Sequence, residues 1–271
     1  MNHLLRELAP ISPTGWREIE KEATRTLKTT LAARRLVDFV GPQGWSASSV
    51  CTGRVEAIDA PAGGIEARLR RVLPLVELRV PFELSRSELE AISRGAKDPD
   101  LDAVIAAART IATAEDHAIF HGYAAAGIEG ICQAQAKLAV DMPATHEDYP
   151  VAIATAMNRL RDAGVDGPFA IALSEQGYAH LMEITKAGYP ALQHVRRLID
   201  GPIVWAPGLD GAVVLSMRGE DFELTVGQDF SIGYRDHDAE RVRLYIEESF
   251  TFQILSAQAA IPMVYRSGKK R

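Results

Sequence analysis

The sequence predicts an α+β fold whose long, extended elements suit an interlocking subunit better than a compact enzyme. Three observations support this prediction. Residues 99–122 form a long helical pattern, residues 48–83 form two strand-like arms around a Gly-rich tip, and residues 242–254 alternate apolar and polar side chains along one strand. The chain of 271 residues is 47% hydrophobic, which is enough for a sizeable core.

The charge and cysteine content exclude several classes of protein. A net charge of −6 argues against general nucleic-acid binding. Two isolated cysteines, Cys51 and Cys132, form neither a disulfide framework nor a metal cluster, and they fit a reducing cytosol. The first residues lack the apolar core of a signal peptide, and no apolar run approaches the roughly 20 residues that a membrane helix needs. We therefore expect a cytoplasmic protein with neither a nucleic-acid partner nor a membrane partner.

The first predicted element is a helix that begins after Ser12. Ser12 is a suitable N-cap, and Pro13 suits the first turn. Apolar side chains then recur every three or four residues over 16–31, which gives the helix one apolar face. Residues 36–40 follow as a short extended segment before a Gly-Pro turn. The tryptophans are expected to anchor the core: Trp16, Trp45 and Trp205.

The segment over residues 48–83 predicts a long hairpin. Short β-type runs occupy residues 50–58, Gly63 and Gly64 mark the tip, and the second arm covers residues 73–80. An isolated two-stranded hairpin is marginal in water, and this one has too few apolar residues for a core of its own. It is therefore expected to lie on something else, either another part of the chain or another subunit.

Two helices are expected after the hairpin. Ser85 and Glu88 predict a capping box for a short helix. A helix of roughly 24 residues, about 36 Å long, is expected over residues 98–122. The acidic residues at its start are interpreted as a helix cap, because the glycine and the later glutamate of a calcium loop are missing: Asp98, Asp100 and Asp102.

The remaining chain predicts an α/β unit over residues 136–220, followed by β structure. Helices are expected at residues 149–160, 176–185 and 192–199. Strands are expected at residues 169–173, 203–206, 212–217, 222–226 and 231–234, before the long strand over residues 242–254.

A search for catalytic chemistry identifies no catalytic residue. The chain has neither a P-loop nor a G-x-G-x-x-G motif, and Ser174 lacks the first glycine of a nucleophile elbow. His117 and His121 share a helix face, but the glutamate of an HExxH motif is missing, so we interpret them as surface histidines. Arg34 either contacts a phosphate or pairs with Asp38 four residues on. Neither a metal nor a cofactor is expected.

Short motifs along nearly the whole chain together resemble encapsulin shell proteins of the linocin-like family 1, which are relatives of the capsid proteins of HK97-type phages. Their number and order make the resemblance specific. They lie at residues 8–11, 33–38, 41–45, 75–82, 114–122, 166–168, 188–190, 227–234 and 248–252.

The resemblance implies an HK97-like capsid fold with a peripheral domain, an axial domain and an extended loop. The hairpin over residues 48–83 corresponds to the extended loop, and residues 136–220 correspond to the axial domain. The peripheral domain takes residues 1–47, residues 84–135 with the spine helix, and residues 221–265 with the C-terminal strands. Residues 266–271 form a basic tail.

In function, the resemblance implies a shell subunit that is not an enzyme. About sixty copies would assemble into a closed icosahedral T=1 shell, an encapsulin nanocompartment. The shell would enclose a cargo enzyme such as a dye-decolorising peroxidase or a ferritin-like protein, recruited through a C-terminal targeting peptide. Two alternatives are a phage major capsid protein that packages DNA and a stand-alone metal-dependent enzyme. The whole-chain resemblance argues against the first.

The resemblance also assigns candidate site residues. A cargo peptide would dock on the inner face, at Leu27, Leu31, Arg34, Asp38, Asp229, Phe230 and Ile232. A five-fold pore would be lined by Thr185, Lys186, Ala187 and Gly188, although a plain helix-ending turn is the alternative interpretation of these residues. A flavin-stacking tryptophan known in the family corresponds to Ser87 here, which argues against a flavin.

Overall fold

The structure, a computed structural model, describes residues 3–143, 145–183 and 191–265. It confirms the α+β class. Within those ranges the helices are α1 Pro13–Thr30, α2 Arg86–Ser93, α3 Asp102–His121, α4 Ile131–Ala134, α5 Tyr149–Asp162, α6 Glu175–Met182 and α7 Ala191–Leu198. The strands are β1 Asp38–Val40, β2 Ser49–Ile58, β3 Ala67–Pro74, β4 Val76–Ser85, β5 Val140–Asp141, β6 Phe169–Leu173, β7 Ile203–Trp205, β8 Ala212–Ser216, β9 Phe222–Val226, β10 Ser231–His237, β11 Arg241–Ile254 and β12 Ala260–Val264.

The first sheet is organised around β11, which pairs along both of its edges. Phe250 of β11 pairs with Val76 of β4 on one edge and with Val226 of β9 on the other. β10 pairs with β11 on the same edge as β9, and β1 runs parallel to β9 at the side of the sheet. The long alternating strand predicted from the sequence is therefore the central strand of this sheet.

Helices α1, α2 and α3 share one buried apolar cluster with this sheet. Ile19 of α1 and Ile111 of α3 are both fully buried in it, together with Leu244 of β11. The predicted cap of α1 is confirmed, because the backbone N–H of Gly15 donates to Ser12 Oγ at 3.1 Å. The apolar face that the sequence predicted for α1 is thus the face that packs on the sheet.

The predicted starts of α2 and α3 are wrong in detail. Ser85 caps α2 by position only, because its hydroxyl lies 2.7 Å from Ser87 Oγ, and Glu88 accepts from the N–H of Asp100 at 3.1 Å. Helix α3 begins at Asp102 and has 20 residues, about 30 Å in length. The N–H of Asp102 donates to Asp100 Oδ1 at 3.1 Å, a local side-chain bond that competes with an earlier helical start.

The second sheet has the strand order β5-β12-β8-β6-β7. Helix α5 packs on it through buried residues such as Ile153 and Leu160. The strand bounds predicted for β6 and β9 agree with the structure at both ends. The placement of β12 differs from the expected domain boundary, because Ala260–Val264 pairs with β8 and β5 here rather than with the first sheet. This strand is apolar and buried, so it completes the core that is nearest to it in space.

The hairpin is formed by β2 and β3, which pair from Ser49 opposite Pro74 to Ile58 opposite Ala67. The predicted second arm is wrong beyond Pro74, because residues 76–85 leave the hairpin and pair with β11 as β4. Side chains on β2 and β3 are almost all exposed or half-buried. Large apolar side chains are exposed on this hairpin: Val55, Ile58, Ile65, Leu69 and Val72.

The tryptophans do not all anchor the core. Trp45 is 59% exposed and stacks on the His3 ring, with 4.5 Å between the ring centroids. Trp16 is half-buried beneath Arg6, whose guanidinium carbon lies 4.1 Å from the ring centroid, and Trp205 is half-buried on β7. The expectation is therefore wrong for Trp45. None of the helices in the described ranges combines the length and the hydropathy that crossing a bilayer requires.

Candidate docking groove and buried charge cluster

A groove lies between α1 and the first sheet, with a volume of about 140 Å³. Leu27, Phe230 and Ile232, three of the residues expected at a cargo site, line it together. Ala23 and Leu27 lie on one stripe of α1, because residues four apart share a helix face. The other lining residues were not predicted from the sequence: Leu4, Arg6, Glu20, Ala23, Thr24, Ser231 and Ile246.

The N-terminal segment forms one side of this groove. The backbone N–H of Tyr234 donates to the carbonyl of Leu4 at 2.8 Å, which fixes the segment beside β10. Arg6 then pairs with Glu20 of α1 at 2.6 Å and also lies over the ring of Trp16. The groove consequently has an apolar floor and a charged rim. No periodic signal in residues 4–6 could have indicated this contact, which depends on a strand far along the chain.

Arg34 does not line the groove itself but lies over Phe230, in a single helical turn between α1 and β1. Its guanidinium carbon is 4.4 Å from the centroid of the Phe230 ring. Its Nη1 donates to Asp229 Oδ1 at 2.7 Å, and the same oxygen accepts from the N–H of Phe230 at 2.9 Å. Arg34 therefore positions the loop that carries Phe230, and its hydrogen-bonding groups are already engaged within the chain.

The alternative in which Arg34 pairs with Asp38 is wrong. Arg34 pairs instead with Glu115 of α3, Glu248 of β11 and Asp229. Asp38 is exposed on β1, where its Oδ2 accepts from the N–H of Glu220 at 2.6 Å. These partners lie on elements that are far from Arg34 in sequence, so spacing along the chain could not identify them.

One signal for Glu248 was present in the sequence. Residues 242, 244, 246, 250, 252 and 254 form the apolar row of β11, and position 248 belongs to the same row by its spacing of two. A glutamate in an apolar row predicts a buried carboxyl that needs a partner. Burial, in the first place, and then the negative charge of Glu115 raise the pKa of Glu248 well above its ordinary range.

The neighbouring carboxyl of Asp116 has a structural role. Its oxygens accept from the backbone N–H groups of Ala32 and Ala33, at distances from 2.9 to 3.2 Å. These bonds fix the end of α1 to α3. Burial raises the pKa of Asp116 to about 7, although the two backbone donors oppose that shift.

The remaining candidate residues are not in the groove. Leu31 is half-buried at the C-cap of α1, where its N–H donates to the carbonyl of Leu27 at 2.9 Å. Asp38 lies on β1, as described above. The expected pore residues lie outside the described residues: Thr185, Lys186, Ala187 and Gly188.

The two histidine rings of α3 lie against each other at a tilt of 40°, with 4.9 Å between the ring centroids of His117 and His121. His121 Nε2 accepts from the backbone N–H of Asp210 at 2.9 Å, and burial lowers the pKa of this imidazole. This nitrogen is thus occupied by a backbone donor. Over residues 3–143, 145–183 and 191–265, no group of three or more potential His, Cys, Asp or Glu ligands is placed to hold a metal ion.

Residues 1–251 match the profile of a protein family described as encapsulating protein for peroxidase. The chain is also similar to a type 1 encapsulin shell protein of Rhodospirillum rubrum, at 58% identity over 97% of this chain and 96% of that one. A type 1 encapsulin shell protein of Mycolicibacterium paratuberculosis is 49% identical over 97% of this chain and 99% of that one.

Solved structures with low sequence identity show the fold. A virus-like particle protein from Pyrococcus furiosus superposes with a TM-score of 0.62 at 16% identity, over 90% of this chain and 97% of that one. A chain in the solved structure of Mycobacterium phage Bobi gives a TM-score of 0.58 at 13% identity, over 88% of this chain and 91% of that one. The HK97-like capsid fold expected from the sequence resemblance is therefore confirmed.

Proposed function

The chain belongs to the encapsulin shell protein family, and from this premise we propose that it is the structural subunit of a closed icosahedral shell around a cargo enzyme. About sixty copies in a T=1 arrangement is the proposed stoichiometry. The description of the matching family favours a peroxidase as cargo, and a ferritin-like protein is the alternative cargo. The shell is proposed to form in the cytoplasm and to lack catalytic activity of its own.

The exposed hairpin is the observation that carries this proposal. Val55 pairs with Arg70, and Ile58 pairs with Ala67. Because paired residues share a face and residues two apart on a strand share a face, Val55 and Val72 lie on one face while Ile58 and Leu69 lie on the other. Each of these four side chains is roughly half exposed, which leaves both faces of a two-stranded ribbon without an apolar partner in the described chain. Such a ribbon gains stability by packing on, or pairing with, a second copy of the chain.

The assembly test changes one face of the hairpin. The double variant Ile58→Asp with Leu69→Asp should yield soluble subunits or aggregates in place of shells, because it places charge on a face that a neighbour must cover. Glu66→Gln is the matched control, since Glu66 is an exposed residue near the tip and pairs with the exposed Arg68 of the same strand region. Size-exclusion chromatography and negative-stain microscopy measure the outcome. Normal shells from the double variant would contradict the proposed role of the hairpin.

The groove between α1 and β10 is the proposed docking site for a C-terminal targeting peptide of the cargo. Leu27, Phe230 and Ile232 supply apolar surface, which can offset the entropy lost when a short disordered peptide becomes ordered. Leu31 and Asp38 belong to the proposed site by family resemblance, and they would contact the peptide beyond the groove. Arg34 and Asp229 act through Phe230, because both hold the loop that carries it.

The proposed division of the subunit follows the two sheets. The first sheet with α1, α2 and α3 corresponds to the peripheral domain, and the second sheet with α5, α6 and α7 corresponds to the axial domain. The earlier boundary changes in one respect, since residues 260–264 join the axial domain through β12. The five-fold pore at Thr185, Lys186, Ala187 and Gly188 stays a proposal from family resemblance.

The two rival functions receive less support. A DNA-packaging capsid protein would share this fold, but the relatives with the highest identity reported above are named as encapsulin shell proteins. A metal-dependent enzyme would need a third ligand beside His117 and His121, and His121 Nε2 already accepts a backbone hydrogen bond.

A further inference from the structure

Two buried glutamates share one guanidinium where α3 meets the first sheet. The side chains of Glu115 on α3 and Glu248 on β11 are both 0% exposed. Arg34 donates to Glu115 through Nε at 2.9 Å and through Nη2 at 2.6 Å, while the same Nη2 reaches Glu248 Oε2 at 3.2 Å. Asp229, the third carboxylate on Arg34, is 42% exposed on its side chain.

The charges of this cluster do not balance if every acid is ionised. Asp229 is partly solvated, so two fully buried carboxylates would compete for a single guanidinium. An unpaired charge in a protein interior is strongly unfavourable, and a buried acid avoids it by keeping its proton. The geometry therefore requires one of the two glutamates to be neutral.

Glu248 is the acid that the geometry selects. Glu115 holds the bidentate contact with Arg34, so the guanidinium is directed mainly at this acid. Glu248 Oε1 is buried and has no hydrogen-bond partner as a carboxylate oxygen. A proton on Glu248 would give this carboxyl group a hydrogen to donate, and the Glu115 carboxyl lies within hydrogen-bonding reach of it. Burial, followed by the charge of Glu115 and the hydrogen bond with it, raises the pKa of Glu248, which favours the protonated form of this acid.

We propose that Glu248 keeps a proton at neutral pH and donates it in a hydrogen bond to the Glu115 carboxylate, so that the junction between α3 and β11 loosens in alkaline solution. The proton is taken up and released by the carboxyl oxygen alone, with no other bond made or broken.

The surrounding charges are few and come from identifiable elements. Arg34 faces Glu248 from the turn between α1 and β1, Glu115 faces it from α3, and Asp229 contributes from the loop between β9 and β10. On β4, Leu78 is the residue paired with Glu248. The charged neighbours on that strand lie on the opposite face, where Arg79 donates to Glu247 at 2.6 Å.

The direction of the pH effect follows from linkage. A carboxyl whose pKa is raised on folding contributes stability that is complete below its ordinary pKa of 4.5 and declines as pH rises towards the folded value. One such proton changes the folding equilibrium by up to about tenfold per pH unit. The pKa of Asp116 is also raised, so its effect on stability has the same direction as that of Glu248. Because this pKa is about 7, stability stops changing through Asp116 near neutral pH. Above neutral pH the buried thiol of Cys132, whose pKa burial raises to about 12, adds a loss of the same sign, so the contribution of Glu248 is read from the difference between wild type and a variant that lacks this carboxyl.

The first experiment compares Glu248→Gln with the matched control Glu247→Gln. Glutamine at position 248 keeps the neutral shape and a donor but cannot release a proton. Glu247 is an equally buried neighbour on the opposite face, where His3, Arg79 and Gln228 all contact its carboxylate. Urea unfolding of purified shells is measured from about pH 7 to pH 9. In wild type and in Glu247→Gln, the folding equilibrium constant should fall as pH rises. In Glu248→Gln, the fall of this constant over the same pH range should be at least several-fold smaller. Parallel profiles for wild type and Glu248→Gln would overturn the proposal.

Infrared spectroscopy gives a second readout that does not depend on stability. Near about pH 8, ordinary carboxyl groups are ionised, so a protonated-carboxyl band reports an unusual acid. Wild type and Glu247→Gln should show this band, and Glu248→Gln should lack it. If Glu248→Gln does not fold, the wild-type spectrum alone tests the proposal. Absence of the protonated-carboxyl band overturns it. A band that disappears on further alkaline titration, together with loosening of the shell, supports it.

Discussion

Removal of the Arg34 guanidinium is the perturbation with the largest effect that the structure predicts at this junction. The side chain is only 14% exposed and contacts two fully buried carboxyl groups, those of Glu115 and Glu248. Removing one partner of a buried ion pair leaves an uncompensated charge and typically costs about 3–5 kcal/mol. Arg34→Ala should therefore lower the unfolding midpoint by roughly 6–20 °C for a chain of this size class. Loss of the contact with Phe230 adds to the effect.

The assay is thermal and urea unfolding of purified protein at neutral pH and near about pH 5. In Arg34→Ala a buried acid that has lost its cation and is still ionised can take up a proton, so the loss of stability should shrink on acidification. Arg94→Ala is the control, because Arg94 pairs with Glu90 at 3.5 Å and both side chains are about two-thirds exposed. That change should cost only about 0.3–0.5 kcal/mol. Equal losses in the two variants, or a loss in Arg34→Ala that grows on acidification, would refute the reasoning.

Three further outcomes are expected. Phe230→Ala should reduce the amount of cargo per purified shell, measured by quantitative gel densitometry, while Leu255→Ala at an exposed apolar position should not; equal cargo in both would place the docking site elsewhere. Lys186→Glu should slow the entry of small anions into cargo-loaded shells, because it reverses the charge of a proposed ring of lysines; unchanged entry would contradict the pore assignment. Boiled shells should run as monomers on denaturing gels, since residues 48–83 contain no lysine for an isopeptide cross-link, and a ladder of oligomers would contradict this.

Elements with local signals were predictable from the sequence. Ser12 and Pro13 marked the start of α1, and Ser12 accepts the capping hydrogen bond in the structure. Short apolar runs between turn residues gave the bounds of β6 and β9. In each case the determining interaction lies within a few residues of the chain, which is why a pattern can report it.

Pairing partners were not predictable, because the alternation within a strand does not say which strand lies beside it. The run over residues 73–80 was assigned to one arm of the hairpin, whereas it contains the end of β3 and half of β4. β12 was assigned with the preceding strands by its position in the chain, although it pairs with β5 and β8. Each assignment followed sequence proximity, and tertiary pairing overrode it.

The candidate groove was predictable in part through family resemblance. Leu27, Phe230 and Ile232 do line one groove, but Leu4 and Arg6 were missed because they reach it through a backbone contact with Tyr234. The buried acids were missed for a different reason. Glu115 lies in an ordinary-looking helix, and the break in the apolar row at Glu248 was left without an interpretation.

The strand order has a consequence for synthesis of the subunit. β11 pairs with three other strands in the first sheet, and β12 lies between β5 and β8 in the second. Both strands follow all the others in chain order, so each sheet lacks an interior strand until the ribosome has translated residues 241–264. The first sheet cannot close before β11 is complete at Ile254, and the second cannot close before β12 is complete at Val264. A nascent subunit truncated before β11 would therefore have its hairpin but neither finished sheet, which restricts incorporation into a growing shell to chains that have completed both sheets.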